Sequence, residues 1–269
     1  MPKKRAVCAG SIATGAVALA AVPMTLTAGA SPAEEGRTPV TDGQRLSASA
    51  STCAVRELAD MSLEQQVGQL FISGVDADDP TDAELAAVRD LHLGGVILTN
   101  GSDAGAETTR QVSERAQAAA TTGGVPLWVS ADQEGGQVQH LKGPGFDAMP
   151  TAVEQGKLDP AELRSQAKGW GGQLSAAGVN LNLAPVLDTV PEELGDENKP
   201  IGHLQRNYGT TPEAVGTHGT AFQAGMADAG VAPAVKHFPG LGRVLGNTDD
   251  SKDVTDDVTT RDDAYLQPF

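Results

Sequence analysis

Three stretches of this chain set charged side chains directly behind apolar runs, and a fourth places one arginine in a loop. Ser130-Ala131 leads into Asp132-Gln133-Glu134-Gly135-Gly136 and on to His140. Asn182-Leu183-Ala184-Pro185-Val186-Leu187 ends in Asp188, and Ala234-Val235 leads into Lys236-His237-Phe238-Pro239-Gly240. Between the last two, Pro200-Ile201-Gly202 is followed by a single arginine, Arg206. A carboxylate at a strand end is a hydrogen-bond acceptor placed where a polyol could meet it, and two following glycines let backbone approach a ligand. The plainer reading of Asp132 is a turn with surface acids. Asp188 is either a functional acid or the cap of the next segment, and a lone arginine such as Arg206 is commonly a surface charge. Lys236 and His237 follow directly on an apolar strand, where charge needs a ligand or a partner; a satisfied core histidine is the alternative for His237. Beyond them Asn247-Thr248-Asp249-Asp250-Ser251-Lys252-Asp253 is an acidic run, of a kind usually just solvated.

The elements that must carry these groups are readable from punctuation and period. Ser62 with Gln65, and Thr81 with Glu84, are spaced as capping boxes and open helices. A third helix is expected over 107–120. Asp159-Pro160 and Thr211-Pro212 each combine an N-cap with a first-turn proline, opening helices that stop near Gly178 and Gly230. Apolar strands are expected over 69–75, 95–99, 126–131, 179–187 and 231–235. Strands alternating with helices imply parallel βαβ units. A (β/α)8 barrel of the α/β class explains the pattern best, because its site is built from loops after strand C-termini. A doubly wound sheet is the alternative, weakened by the lack of a G-x-G-x-x-G or P-loop after the first strand. Five or six strands do not close an eight-stranded barrel, so the barrel is expected to be incomplete.

Composition narrows the partners. The chain has 269 residues, a formal net charge of -16 and 3% aromatics. Such a charge repels phosphate backbones and argues against nucleic acid. No Cys/His cluster has metal-ligand spacing, so no metal or other cofactor is expected. Lys3, Lys4 and Arg5 precede an Ala/Val-rich run and the small residues Ala28-Gly29-Ala30, the pattern of a secretory signal over 1–30. Residues 31–54 read as a flexible linker and 55–269 as the folded domain. Cleavage after Ala30 would leave Cys53 as a lone cysteine, and no stable membrane span is expected afterwards.

The four charged motifs, in this order, resemble glycoside hydrolase family 3 in its β-N-acetylglucosaminidase branch, over roughly 58–269. The resemblance implies a (β/α)8 barrel that removes terminal β-linked N-acetylglucosamine with retention, through a covalent glycosyl-enzyme on an aspartate. It implies sugar-holding roles for Asp132, Arg206, Lys236 and His237, with His140 and Asp188 as further substrate-binding candidates. Three departures stand out. His140 occupies a position where the family often has arginine. Leu241 stands where many members have a histidine, and Asp250-Ser251-Lys252 stands near the family's Asp-Ser-His, whose histidine is the acid/base. That leaves Asp249 or Asp250 as candidate acid/base, given a raised pKa. Finally, the family's nucleophilic aspartate lies on a later strand, so the chain reads as truncated at its C-terminus, without the nucleophile, and is expected to be inactive by itself. The expected function is hydrolysis of N-acetylglucosamine-containing glycans of cell-wall or chitin type by a secreted protein. A β-glucosidase of the same family, or a non-catalytic sugar-binding fragment, is the alternative.

Overall fold

The computed structural model describes residues 53–269. The expected signal segment and nearly all of the linker therefore lie outside the described residues. Residues 53–59 are helical and belong to a first unit that ends at Met61; the second unit is Ser62–Phe269. Cys53 is disulfide-bonded, whereas signal cleavage after Ala30 would make it a lone thiol.

The second unit alternates strand and helix as its punctuation demands. Helix α1 (Leu63–Gly68) and helix α2 (Asp82–Asp90) both start on complete capping boxes, Ser62 with Gln65 and Thr81 with Glu84. Strand β1 (Ile72–Asp76) lies between them, followed by β2 (Gly95–Thr99), α3 (Ala106–Ala119) and β3 (Trp128–Ala131). A hairpin follows at once, β4 (Gln133–Gly135) with β5 (Val138–Gln139). Then come the short α4 (Ala152–Gln155), α5 (Pro160–Ala176), β6 (Leu181–Asn182), α6 (Pro212–Asp228) and β7 (Ala232–Pro233). Asp159 accepts from Ala161 N at 2.8 Å and Thr211 from Ala214 N at 3.3 Å, so both proline-led helices begin at the expected residue.

The main sheet is parallel throughout, in the order β1-β2-β3-β6-β7. Each new strand is added on the same side as the last. A doubly wound sheet reverses direction at a switch point; this one does not, and the arrangement is that of an incomplete (β/α)8 barrel. The hairpin is a separate two-stranded sheet inserted after β3, where the sequence pattern suggests only a loop.

Val75, Val96, Val129 and Ala131 are fully buried between sheet and helices, with Leu163, Leu174, Phe222 and Met226 from α5 and α6. The few aromatics are concentrated here: Phe222 lies 6.4 Å from Trp170 and 6.3 Å from Tyr208, centroid to centroid. Glycines let α5 and α6 close on each other. A Cβ on Gly225 would sit 2.4 Å from Arg164 O, and one on Gly171 2.8 Å from the Ala229 Cβ. Helix-interior glycine normally costs about 1 kcal/mol, a cost offset here by the contact it permits. Among the described residues no helix is long and apolar enough to cross a membrane.

Candidate active site

Parallel strands deliver their C-terminal ends to one side, and the site assembles there. Asp132 follows β3 and Glu134 lies in β4. With side chains alternating along an extended chain, these two share a face and Gln133 takes the other. Gln133 is buried and fixes the strap: its Nε2 donates to Leu141 O at 2.7 Å and its Oε1 accepts from Leu141 N at 3.0 Å. Asn182 at the end of β6 holds the same residue by its backbone, accepting from Gln133 N at 3.1 Å and donating to Gln133 O at 3.0 Å. The two glycines next in the chain do not open the backbone to a ligand, as their spacing suggests. Gly135 and Gly136 have positive φ, and a Cβ on Gly135 would lie 2.2 Å from Pro150 O while one on Gly136 would meet the Thr151 side chain. They let the hairpin close against the protein's own 149–151 segment.

Pairing resumes beyond the two-residue strands. Val186 bridges Lys236, and Leu187 N donates to Lys236 O at 2.7 Å. This brings Asp188 beside His237. The peptide bonds Ala184-Pro185, Lys236-His237 and Phe238-Pro239 are cis.

Six side chains form one connected polar network. Arg206 grips Glu134 with two parallel hydrogen bonds, Nε to Oε2 and Nη2 to Oε1, both 2.8 Å. Its Nη1 donates to Pro200 O at 2.9 Å and its Nη2 lies 3.3 Å from His237 Nε2. Lys236 Nζ pairs with Glu134 Oε1 at 2.6 Å and also with Asp132. His237 Nδ1 lies 2.5 Å from Asp188 Oδ2, and Asp188 Oδ1 accepts from Leu241 N at 2.7 Å. Burial divides the six into two tiers. The side chains of Glu134 and Asp188 are 5% and 0% exposed, whereas those of Asp132, Lys236, Arg206 and His237 are 26%, 18%, 13% and 28% exposed. The upper four are partly open to solvent, and the lower two pair with Arg206, Lys236 and His237.

Burial pushes the Glu134 carboxyl up, but the Arg206 hydrogen bonds and the Lys236 charge outweigh it and hold it below the usual carboxylate range. For Arg206 burial works against the charge, and Glu134 reverses this and raises it above the ordinary value. Both stay ionised, so the floor of the site is a fixed charge pair. Tyr208 is raised well above its ordinary value, by burial first and the Glu134 charge second, and stays neutral.

The other candidates sit elsewhere. His140 is exposed at the end of the hairpin, and its hydrogen bonds are through backbone, to Ser102 N and Asp132 O. Asp249 and Asp250 are exposed; Asp250 accepts from Asn247 Nδ2 at 3.2 Å and the Asp249 backbone N donates to Asn247 Oδ1 at 3.1 Å. No described contact joins either aspartate to the six-residue network. Two residues of the site go beyond the sequence-based candidates. Glu134 is visible within Asp132-Gln133-Glu134, but its spacing alone assigns it no role. Asn198 is fully buried, donates to Leu241 O and Val244 O at 2.8 and 2.7 Å, and accepts from Ile201 N and Gly202 N. It ties the loop after β7 to the segment carrying Arg206, and nothing in its local sequence marks it. Among the described residues no group of three or more His, Cys, Asp or Glu side chains could hold a metal ion.

The incomplete (β/α)8 barrel agrees with comparison to known proteins. Residues 62–269 match the glycosyl hydrolase family 3 N-terminal domain. The chain belongs to that family. Over 191 residues it is 32% identical to the β-hexosaminidase LpqI of Mycobacterium tuberculosis, covering 70% of this chain and 46% of that protein. The crystal structure of a β-N-acetylhexosaminidase from Beutenbergia cavernae is 52% identical, with a TM-score of 0.76 over 78% of this chain and 63% of that one. NagZ from Neisseria gonorrhoeae, solved in complex with N-trifluoroacetyl-D-glucosamine, is 27% identical with a TM-score of 0.54, over 67% and 52% of the two chains. This family 3 chain thus spans about half the length of the curated relatives it matches.

Proposed function

We propose that this family 3 chain supplies the sugar-binding half of a β-N-acetylhexosaminidase acting on terminal, non-reducing β-linked N-acetylglucosamine. One observation carries the reading: an acceptor carboxylate, two cations and an imidazole, all partly accessible, are held at strand ends by two buried carboxylates. Such a set matches a neutral polyol, whose hydroxyls donate to Asp132 and accept from Lys236 and Arg206. Charge-assisted hydrogen bonds of this kind are each worth about 1.5–3 kcal/mol. The name of the Beutenbergia cavernae structure supports the N-acetyl preference. Reaction by retention would use an aspartate from a later strand as nucleophile. In the same reading the protein is exported, on the strength of the Lys3-Lys4-Arg5 start and the apolar run behind it, and works on cell-wall or chitin-type glycans.

The decisive assay is hydrolysis by the full-length natural protein of an aryl N-acetylglucosaminide against the matching aryl glucoside. Preference for the first is expected; preference for the second indicates a β-glucosidase. A second reading, sugar binding without turnover, is favoured by the exposed, locally bonded Asp249 and Asp250 and by Lys252 standing near the position of the family's Asp-Ser-His histidine. Binding of N-acetylglucosamine with neither aryl substrate cleaved would select it.

A further inference from the structure

We propose that Asp188 is a positioning residue that locks His237 in its Nδ1–H tautomer, turning Nε2 into a fixed acceptor, and ties that imidazole to the loop starting at Leu241. The inference rests on the sugar-binding role of the upper tier. Asp188 is completely buried, so it does not reach a ligand itself. Its two oxygens have separate tasks: Oδ2 faces His237 Nδ1 at 2.5 Å and Oδ1 accepts the Leu241 N–H at 2.7 Å. On the other side of the ring, Arg206 Nη2 stands 3.3 Å from Nε2. A guanidinium has donors only. Nε2 must therefore present its lone pair, which leaves the proton on Nδ1, pointing at Asp188. Arg206 cannot swing away to relieve a wrong tautomer, because Glu134 holds it by two bonds and Pro200 O by a third.

The backbone supports the same assignment. Gly240, at φ 131°, turns the chain between His237 and Leu241, and its N–H donates to His237 O at 2.8 Å. Its missing Cβ would lie 3.7 Å from Asp188 Oδ1. The carboxylate thus sits inside the turn, bonded at both ends of it. Orientation of the sugar-facing imidazole and the path of the loop that carries Asp249 and Asp250 share one anchor.

The substitution that isolates this role is Asp188→Asn, which keeps shape and removes acceptor capacity. Leu241 N–H can only donate, so the amide oxygen must stay with it. The amide NH2 then faces His237 Nδ1, and the ring must move its proton to Nε2, against Arg206. The test uses histidine-selective 15N labelling of the full-length natural protein, with the His237 signals assigned from the His237→Gln spectrum, alongside the Kd for N-acetylglucosamine. The wild type is expected to show His237 as the Nδ1–H tautomer. Asp188→Asn is expected to show the Nε2–H tautomer, a cooperative melt, and sugar binding weaker by roughly 10- to 150-fold, the scale of one lost charge-assisted hydrogen bond. A wild-type His237 protonated on Nε2 overturns the proposal, and so does a folded Asp188→Asn protein with unchanged tautomer and affinity. Should the variant not fold, the wild-type spectrum decides alone. A tautomer switch in a protein that never binds N-acetylglucosamine would sustain the positioning role and sink the proposed function instead.

Discussion

Two acidic regions of this molecule carry similar charges and do different things with them. Around β3, β6 and β7, three carboxylates face two cations and an imidazole, and the lower ones are withdrawn from water. In the 247–253 run Asp249 and Asp250 are exposed and bond only to a neighbour two or three residues away. A buried charge is tolerable only when opposed, so each member of the first region constrains all the others. An exposed charge is solvated and constrains nothing. The first region is a preorganised cluster of opposed charges, whereas the second lies open to water.

The sharpest way to break the contrast is Glu134→Gln. It leaves Arg206 and Lys236 facing a neutral amide in a buried place, so a loss of about 3–5 kcal/mol is expected in denaturant unfolding. A loss under about 1 kcal/mol would mean that the network is solvated like the loop. Next is Arg206→Ala, which removes a partly exposed donor and leaves Glu134 one cation. Affinity for N-acetylglucosamine should fall roughly 10- to 150-fold, one charge-assisted bond's worth, by calorimetric titration.

Acid should act on the same pair. Glu134 has a folded pKa below its ordinary value, so the folded state binds its proton less readily than the unfolded chain does. Its contribution is therefore complete above the ordinary carboxylate pKa and is lost as pH falls through the depressed folded value. The wild type should lose stability across that acidic interval, and Glu134→Gln should lose less of it, in melts recorded stepwise from neutral pH downward. The smallest stability effect belongs to Asp249→Asn with Asp250→Asn, expected within about 0.5 kcal/mol of wild type. The same double variant tests the acid/base role. Turnover of poor leaving groups should collapse while activated aryl substrates are spared, and full rates on both would remove these aspartates from the chemistry.

Much of the fold is legible in the chain because it is local. The helix starts at Ser62, Thr81, Asp159 and Thr211 are decided by side chains bonding backbone within three residues, and β2 has the expected bounds. The resemblance to family 3 marks Asp132, Arg206, Lys236 and His237, and all four meet in one network. The β4–β5 hairpin is not legible: its strands are three and two residues long, too short for an alternation to register. Glu134 is hidden for a different reason, since its partners lie 72 and more residues away. Gly135 and Gly136 look ligand-facing because positive φ leaves a trace in residue type, while the identity of whatever fills the missing Cβ space does not.

The sequence by itself determined the alternation of main-sheet strands with helices, the residues at strand ends and the family, since each depends on contacts between near neighbours or on an ordered set of motifs. Only the tertiary structure decided which charges are buried and which partner each one has. It made Arg206 a clamp on the buried floor rather than a surface charge, and buried Asp188 between His237 and the Leu241 N–H. The physical reason is that desolvation belongs to a place in the fold: the same carboxylate is solvated in the loop at 249–250 and held among partners at 134 and 188, and only packing between distant strands separates the two.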